Sequence, residues 1–280
     1  MHENEHYFTV KPNNKALQQY IAYYYFNASN TEGFVKSYIF YPHYRNAITV
    51  YKQSKISFSG SESRVTPCAK QSFEIIYTGI HLTARSGIIQ APFDKIGIVF
   101  QPLGLNHFLS QPLSTVVTET PKVNFDYFGK DFEQVLTQVY STNSTHEKTK
   151  LLDAFFSSKI THFQDELFLK AVDLLFKTEL NIQEVSNTLG INRKTLLRLF
   201  QKHLNCSPKA FSTLIKFRKA IDIYQKHKPA LTDLAYQNDY YDQADFIKHF
   251  KKVTGFNPKA FFGNLSHLGT EDTFWTILNS

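Results

Sequence analysis

Cysteine is scarce in this chain. Its 280 residues contain two, Cys68 and Cys206, far apart and outside any Cys-x-x-Cys pair. That spacing excludes a disulfide framework and a cysteine-based zinc site, so both are expected to be reduced, partly buried thiols. A His-x-His pair with a nearby carboxylate is also missing around His43, His81 and His107, so no metal is expected. Neither a glycine-rich phosphate loop nor a nucleophile–base signature occurs, and the chain is not expected to be an enzyme or to carry a cofactor. No apolar run reaches the ~18 residues of a membrane span, and MHENEHYFTVKPNNK has no apolar signal core. The expected compartment is the cytoplasm, with no membrane partner.

What is present is an ordinary globular composition, 42% apolar and 20% charged. The length suits about two domains, each able to bury a core. The net charge is +7, and its placement matters more than its sum. From residue 166 onward sixteen Lys and Arg stand against eleven Asp and Glu, so most of the excess lies in the last two fifths of the chain. Such a bias favours nucleic acid only weakly by itself.

Residues 34 to 120 alternate short β-branched and aromatic runs (YIFY, AITVY, KISF, FEIIYTG, GIIQ, KIGIVF) with Pro, Gly, Asn and Ser. This predicts a mostly antiparallel sandwich or barrel. Lys15 to Phe26 suits either a helix or a strand, while Phe125 to Tyr140 and His146 to Ile160 read as flanking helices. The expected boundary falls near residues 158 to 165, beyond which strand patterns vanish. The resulting fold class is α+β in two domains: a β-rich unit, residues 1–160, and an all-α unit, residues 161–280.

The second unit carries a repeat. LLRLFQKHLNCSPKAF, residues 196–211, and FIKHFKKVTGFNPKAF, residues 246–261, share six identities in sixteen at an offset of 50. Two copies are too few for a solenoid. Asn181 with Glu184 forms a capping box, Asn192 caps the next helix, and Ser207-Pro208 opens a long helix that Pro229 stops. Leu231 to Gln237, Asp242 to about Thr254, and a helix opened by Asn257-Pro258 repeat the scheme. Each copy is therefore a short helix, a turn and a second amphipathic helix, a helix-turn-helix pattern. The second helices are expected at about 193–203 and 243–254.

The connecting helix, at 1.5 Å per residue, spans ~30 Å. That is close to the ~34 Å turn of B-DNA, so two such helices could enter successive major grooves. Arg198 and Lys248 are repeat equivalents that suit guanine, Gln243 suits adenine, and Leu197 and Ile247, both expected to point outward, suit thymine methyl groups. Arg193, Lys202, Lys251 and Lys252 are placed for phosphates. Packing of these faces on the neighbouring domain is the competing structural account.

From about Phe168 to Phe262 the chain resembles the AraC/XylS-type DNA-binding domain. The match runs through IQEVSNTLGINRKTLLRLFQKHLNCSPKAF, FRKAIDIY and LTDLAYQNDYYDQADFIKHFKKVTGFNPKAFF. The resemblance implies transcriptional control, with base-facing positions at Lys194, Leu197 and Arg198 and at Gln243, Ala244, Ile247 and Lys248. Two departures fall in the second copy. Asp239-Tyr240 stands where the family has Gly-Phe, and Ala230 replaces a hydroxyl cap, so the second copy is expected to be the weaker reader.

The first unit looks more loosely like the β-rich domains of some of these regulators. Such domains imply effector sensing, dimerisation or both, and the choice stays open. The expected partners are double-stranded DNA, a small-molecule effector and a second copy of the chain joined through this unit. His43 and Arg45 are the candidates to fix a polar ligand group in an aromatic pocket; a Pro-His-x-Arg surface turn is the plainer account. Two alternatives remain: a DNA-repair methyl acceptor using Cys68, and an architectural binder without sequence preference.

Overall fold

The fold is described from a computed structural model, for residues 5–70, 72–238, 240 and 242–278. Nine strands fill the first part: β1 (His6–Val10), β2 (Ile21–Ser29), β3 (Val35–Phe40), β4 (Ala47–Lys52), β5 (Ser54–Ser59), β6 (Glu62–Pro67), β7 (Phe73–Thr78), β8 (Arg85–Gln90) and β9 (Phe93–Phe100). The segment left open between helix and strand resolves into turns over 15–20, followed by β2. Its run of tyrosines and β-branched neighbours suits a pleated, two-sided surface better than a helix.

Two sheets face each other. One is antiparallel in the order β1-β2-β9-β4-β7. Because strand side chains alternate between faces, it buries two different layers. Ile48, Val50, Ile96, Ile98 and Phe100 face a core shared with the helices α2 (Gly129–Ser141) and α3 (Thr145–Ser158), which follow the one-turn α1 (Leu113–Val116). Tyr51, Ile76 and Phe93 face the second sheet and meet its Tyr38, Val65 and Ile89.

Seven helices follow: α4 (Glu166–Lys177), α5 (Ile182–Thr188), α6 (Arg193–Leu204), α7 (Pro208–His227), α8 (Leu231–Gln237), α9 (Gln243–Thr254) and α10 (Pro258–Asn264). Beyond α10 the described residues are no longer helical. The chain returns as β10 (Ser266–Leu268) and β11 (Thr273–Leu278), which extend the second sheet to β10-β11-β3-β8-β6-β5. The expectation that strand patterns vanish beyond residue 165 is thereby corrected. Trp275 pairs with Phe40, Thr276 with Ile39 and Ile277 with Tyr38. TFWTIL alternates like any half-buried strand, but six residues after a helical stretch are a weak signal. The pairing has a clear physical basis, since without β11 the backbone of β3 would form an open sheet edge.

No helix among the described residues is long and apolar enough to cross a membrane, and no group of three or more His, Cys, Asp or Glu there could hold a metal ion.

Candidate nucleic-acid interface

The repeat in sequence is a repeat in structure. Phe200 and Phe250 are both fully buried, as are Phe211 and Phe261, and the ring pairs Phe200–Phe211 and Phe250–Phe261 each sit 5.5 Å apart. Pro208 and Pro258 each take the first position of the next helix, behind the caps Ser207 and Asn257. Identical spacing thus produces identical packing twice.

In the first copy, Asn181 Oδ1 accepts from the N–H groups of Gln183 and Glu184, and Glu184 Oε2 accepts from Asn181 N at 2.7 Å, a complete capping box. Gly190 turns the chain with φ +66°, which other residues adopt at a cost. Asn192 then caps α6 through Thr195 N at 2.8 Å. Leu196, Phe200, His203 and Leu204 form the inner stripe of α6, while Arg193, Lys194, Arg198 and Lys202 are exposed. Leu197 is half-buried rather than fully outward.

In the second copy, no side chain caps α8 at Ala230. Asp239, half of the substituted turn, lies outside the described residues. Tyr240 is described, and its ring packs on Phe246 while its hydroxyl hydrogen-bonds His249 Nδ1. Asp242 Oδ1 accepts from Asp245 N at 2.7 Å and opens α9. Phe246, Phe250 and Val253 are buried; Gln243, Ala244, Ile247, Lys248, Lys251 and Lys252 are exposed.

The electrostatics separate these helices from the rod between them. On α7, Lys219 pairs with Glu179 and Lys226 with Asp222. Among the described residues, none of Arg193, Lys194, Arg198, Lys202, Lys248, Lys251 and Lys252 enters an ion pair. α6 carries four Lys and Arg and no carboxylate, and α9 carries three Lys and one carboxylate, Asp245. Unpaired cations on exposed helix faces can displace counterions from a polyanion.

Comparisons with known proteins converge on this region. Residues 185–264 match a family model described as a helix-turn-helix domain. Over 85 residues the chain is 31% identical to the lactose operon transcription activator of Staphylococcus xylosus, covering 29% of this chain and 30% of that protein. This region is a helix-turn-helix domain, and its two copies on one connecting helix resemble the AraC/XylS type. An uncharacterized HTH-type transcriptional regulator of Haemophilus influenzae is 23% identical over 86 residues, 31% of this chain and 29% of that one. The chain thus spans less than a third of the length of the curated relatives it matches. Among solved structures, unsaturated fatty acid bound ToxT of Vibrio cholerae aligns over 87% of this chain and 99% of that one, at 14% identity and a TM-score of 0.45.

The helix-turn-helix domain is held against the β-rich part. Its first copy packs around Phe211 and Leu214 of α7, its second around Phe217, Ala220 and Ile221. The loop from Gly79 to Ala84 touches both: Ile80 enters the first core, and Ala84 N donates to Val253 O, at the end of α9, at 2.7 Å. The end of α6 is tied by Asn106 Nδ2 to His203 O at 3.0 Å and by Asn205 Nδ2 to Val117 O at 2.7 Å. Arg218, buried on α7, donates to the carbonyls of Pro42, Tyr41 and Asp272.

That last contact explains His43 and Arg45. Arg45 N donates to His43 Nδ1 at 3.0 Å, so a neutral ring donates from Nε2 to Asp272 Oδ2 at 2.8 Å. Arg45 reaches the same carboxylate oxygen at 2.5 Å. Burial raises the Asp272 carboxyl, but His43, Arg45 and Arg218 outweigh it and hold the group well below the usual carboxylate range. His43 and Arg45, the candidates to fix a polar ligand group, both hold the returning tail at Asp272, beside a cleft of about 360 Å³ that Arg45 and Arg218 line. Sequence reasoning missed Arg218 and Asp272. FRKAIDIY places an arginine on a largely apolar stretch of the connecting helix, which was the available signal for one of them.

Proposed function

We propose that this chain is a sequence-specific, double-stranded DNA-binding transcriptional regulator that sets α6 and α9 into successive major grooves. The carrying observation is the pair of capped helices with unpaired cations on successive halves of one ~30 Å rod. Lys194, Leu197 and Arg198 read bases from α6, and Gln243, Ala244, Ile247 and Lys248 from α9. Arg193, Lys202, Lys251 and Lys252 hold phosphates. Residues 1–160, with the returning strands β10 and β11 added to their second sheet, form a unit that binds a small-molecule effector and pairs two chains, and the helices of 161–280 form the reader; the protein works in the cytoplasm and catalyses no reaction.

The test is a binding selection from random duplex DNA with the full chain at near-physiological salt. The expected result is a motif of two blocks about one helical turn apart. Arg198→Ala and Lys248→Ala should each cost ~1–3 kcal/mol on that motif and relax one base position. Selection without any enriched motif would remove the sequence-specific claim, and equal losses on every sequence would turn both residues into phosphate contacts.

A further inference from the structure

The space between the two sheets holds a charged group that the DNA-reading account does not use. Lys95 lies on β9 between Phe93 and Gly97, where alternation turns it away from the helices and toward the second sheet. It is 2% exposed. Its Nζ stands 5.0 Å from the ring of Trp275, 5.6 Å from that of Tyr38 and 5.7 Å from that of Tyr51. Among the described residues it makes no hydrogen bond. Among the described residues the one carboxylate at hand, Glu5, is occupied: Lys36 Nζ donates to Glu5 Oε2 at 2.6 Å and Asn27 Nδ2 to Oε1 at 2.6 Å. Two buried amines therefore share one carboxylate.

Lys95 also lines a cavity of about 160 Å³ with Tyr25, Thr49, Tyr51, Arg85 and Trp275. Glycines seat two of the rings that wall it. A Cβ on Gly97 would come within 1.8 Å of the Tyr25 ring, and one on Gly87 within 2.6 Å of Tyr38. Such a volume admits a molecule of about benzene size. Burial pushes the Lys95 ammonium down to about 7, against the attraction of Glu5 and helped by the repulsion of Lys36. Among the described residues Tyr25, Tyr38, Tyr51 and Arg85 also line the cavity, and Tyr7 packs behind Tyr25 and Trp275. A desolvated lysine beside a second cation is the arrangement that makes an amine nucleophilic.

We propose that Lys95 captures a small aldehyde as a reversible imine within the sandwich. The Nζ lone pair adds to the carbonyl carbon, the oxygen takes up a proton, and the nitrogen gives one up. Loss of water then leaves the C=N bond, with no oxidant or reductant consumed. The Glu5–Lys36 pair is the neighbouring proton donor and acceptor. Aromatic walls suit the apolar body of the aldehyde.

The cage has a structural link to the reader. Trp275 belongs to β11, three residues after the Asp272 whose carbonyl accepts from Arg218 of α7. An adduct pressed against Trp275 therefore bears on the strand that anchors the connecting helix. The capture chemistry itself goes beyond the regulator account and does not rest on it.

The test uses the full chain without DNA, butanal at limiting concentration and cyanoborohydride near neutral pH, read by peptide mass mapping. Lys95 should gain the mass of butanal less one oxygen atom, with at least tenfold more label than any exposed lysine. Because Trp275 is the sole tryptophan, butanal alone should also shift the intrinsic fluorescence reversibly. Both signals should vanish in Lys95→Met and in Lys95→Arg, with circular dichroism unchanged. Label spread over the lysines according to exposure, or an unlabelled Lys95 in the wild-type chain, overturns the proposal. Either result leaves the DNA selection to be judged separately.

Discussion

The two helix-turn-helix copies have the same core and different boundaries. Their phenylalanine pairs match to the same spacing, yet the first copy opens on a complete capping box and turns on Gly190, whereas the second opens on an uncapped Ala230. The first is tied to the β-rich part by two side-chain amides at the end of α6, and the second by one backbone bond from Ala84 to the end of α9. Duplicated core positions thus preserve a shape even where the local signals for it have decayed. The second copy also packs on Tyr41 and Phe274 of the β-rich part, where Arg218 of α7 donates to Tyr41 O.

The hardest way to break the likeness is to remove its shared centre. Phe200→Ala and Phe250→Ala should each destabilise by ~3–5 kcal/mol in urea unfolding, because both rings are fully buried. A difference of more than about 1.5 kcal/mol between them would mean that the two cores relax differently. Arg218→Met comes next, at about 3 kcal/mol, since it strands buried carbonyls of Tyr41 and Pro42. Hydrogen exchange should rise in α8 and α9 more than in α5 and α6, and equal rises would show that the second copy does not depend on this anchor.

A pH dependence is expected in the loop that touches both copies. Burial lowers His81 to about 4, with Arg85 and Arg218 adding to it against a hydrogen bond to Gly79. The folded state therefore favours the neutral ring. Its contribution is complete above the unfolded value near 6.5 and is lost as pH falls toward 4, on the order of 2 kcal/mol. Melting followed between pH 7 and 4 should show this fall reduced in His81→Gln; an unchanged slope would assign it to other groups.

The smallest effects concern the caps, and they sharpen the contrast directly. Asn181→Ala should cost ~1 kcal/mol, while Ala230→Ser should stabilise by up to about 1 kcal/mol, because Ala230 already has extended backbone angles. Thermal unfolding of the two variants should move in opposite directions. Loss of stability in Ala230→Ser would show that the hydroxyl cannot reach the N–H groups of α8.

Legibility followed the range of the interactions. The starts of α5, α6, α7, α9 and α10 were readable because a cap and its partner lie two or three residues apart, and their inner stripes because apolar residues recur every three or four. The exposed cations of α6 and α9 followed from the same periodicity. Leu197 was less outward than its place on the helix suggests, and the turn at Asp239 falls outside the described residues. His43 and Arg45 were visible as unusual residues, but their partner Asp272 is 229 and 227 positions away. No local pattern carries that distance.

Two helix-turn-helix copies, a rod between them and a β-rich partner could all be read along the chain, because propensity, capping and hydrophobic period are local properties. The return of the tail as β11, the contact of the loop from Gly79 to Ala84 with both copies, and the aromatic cage around Lys95 came from long-range packing. Each of these depends on strands and loops that meet across long separations, where packing and sheet pairing choose among many partners of similar local character.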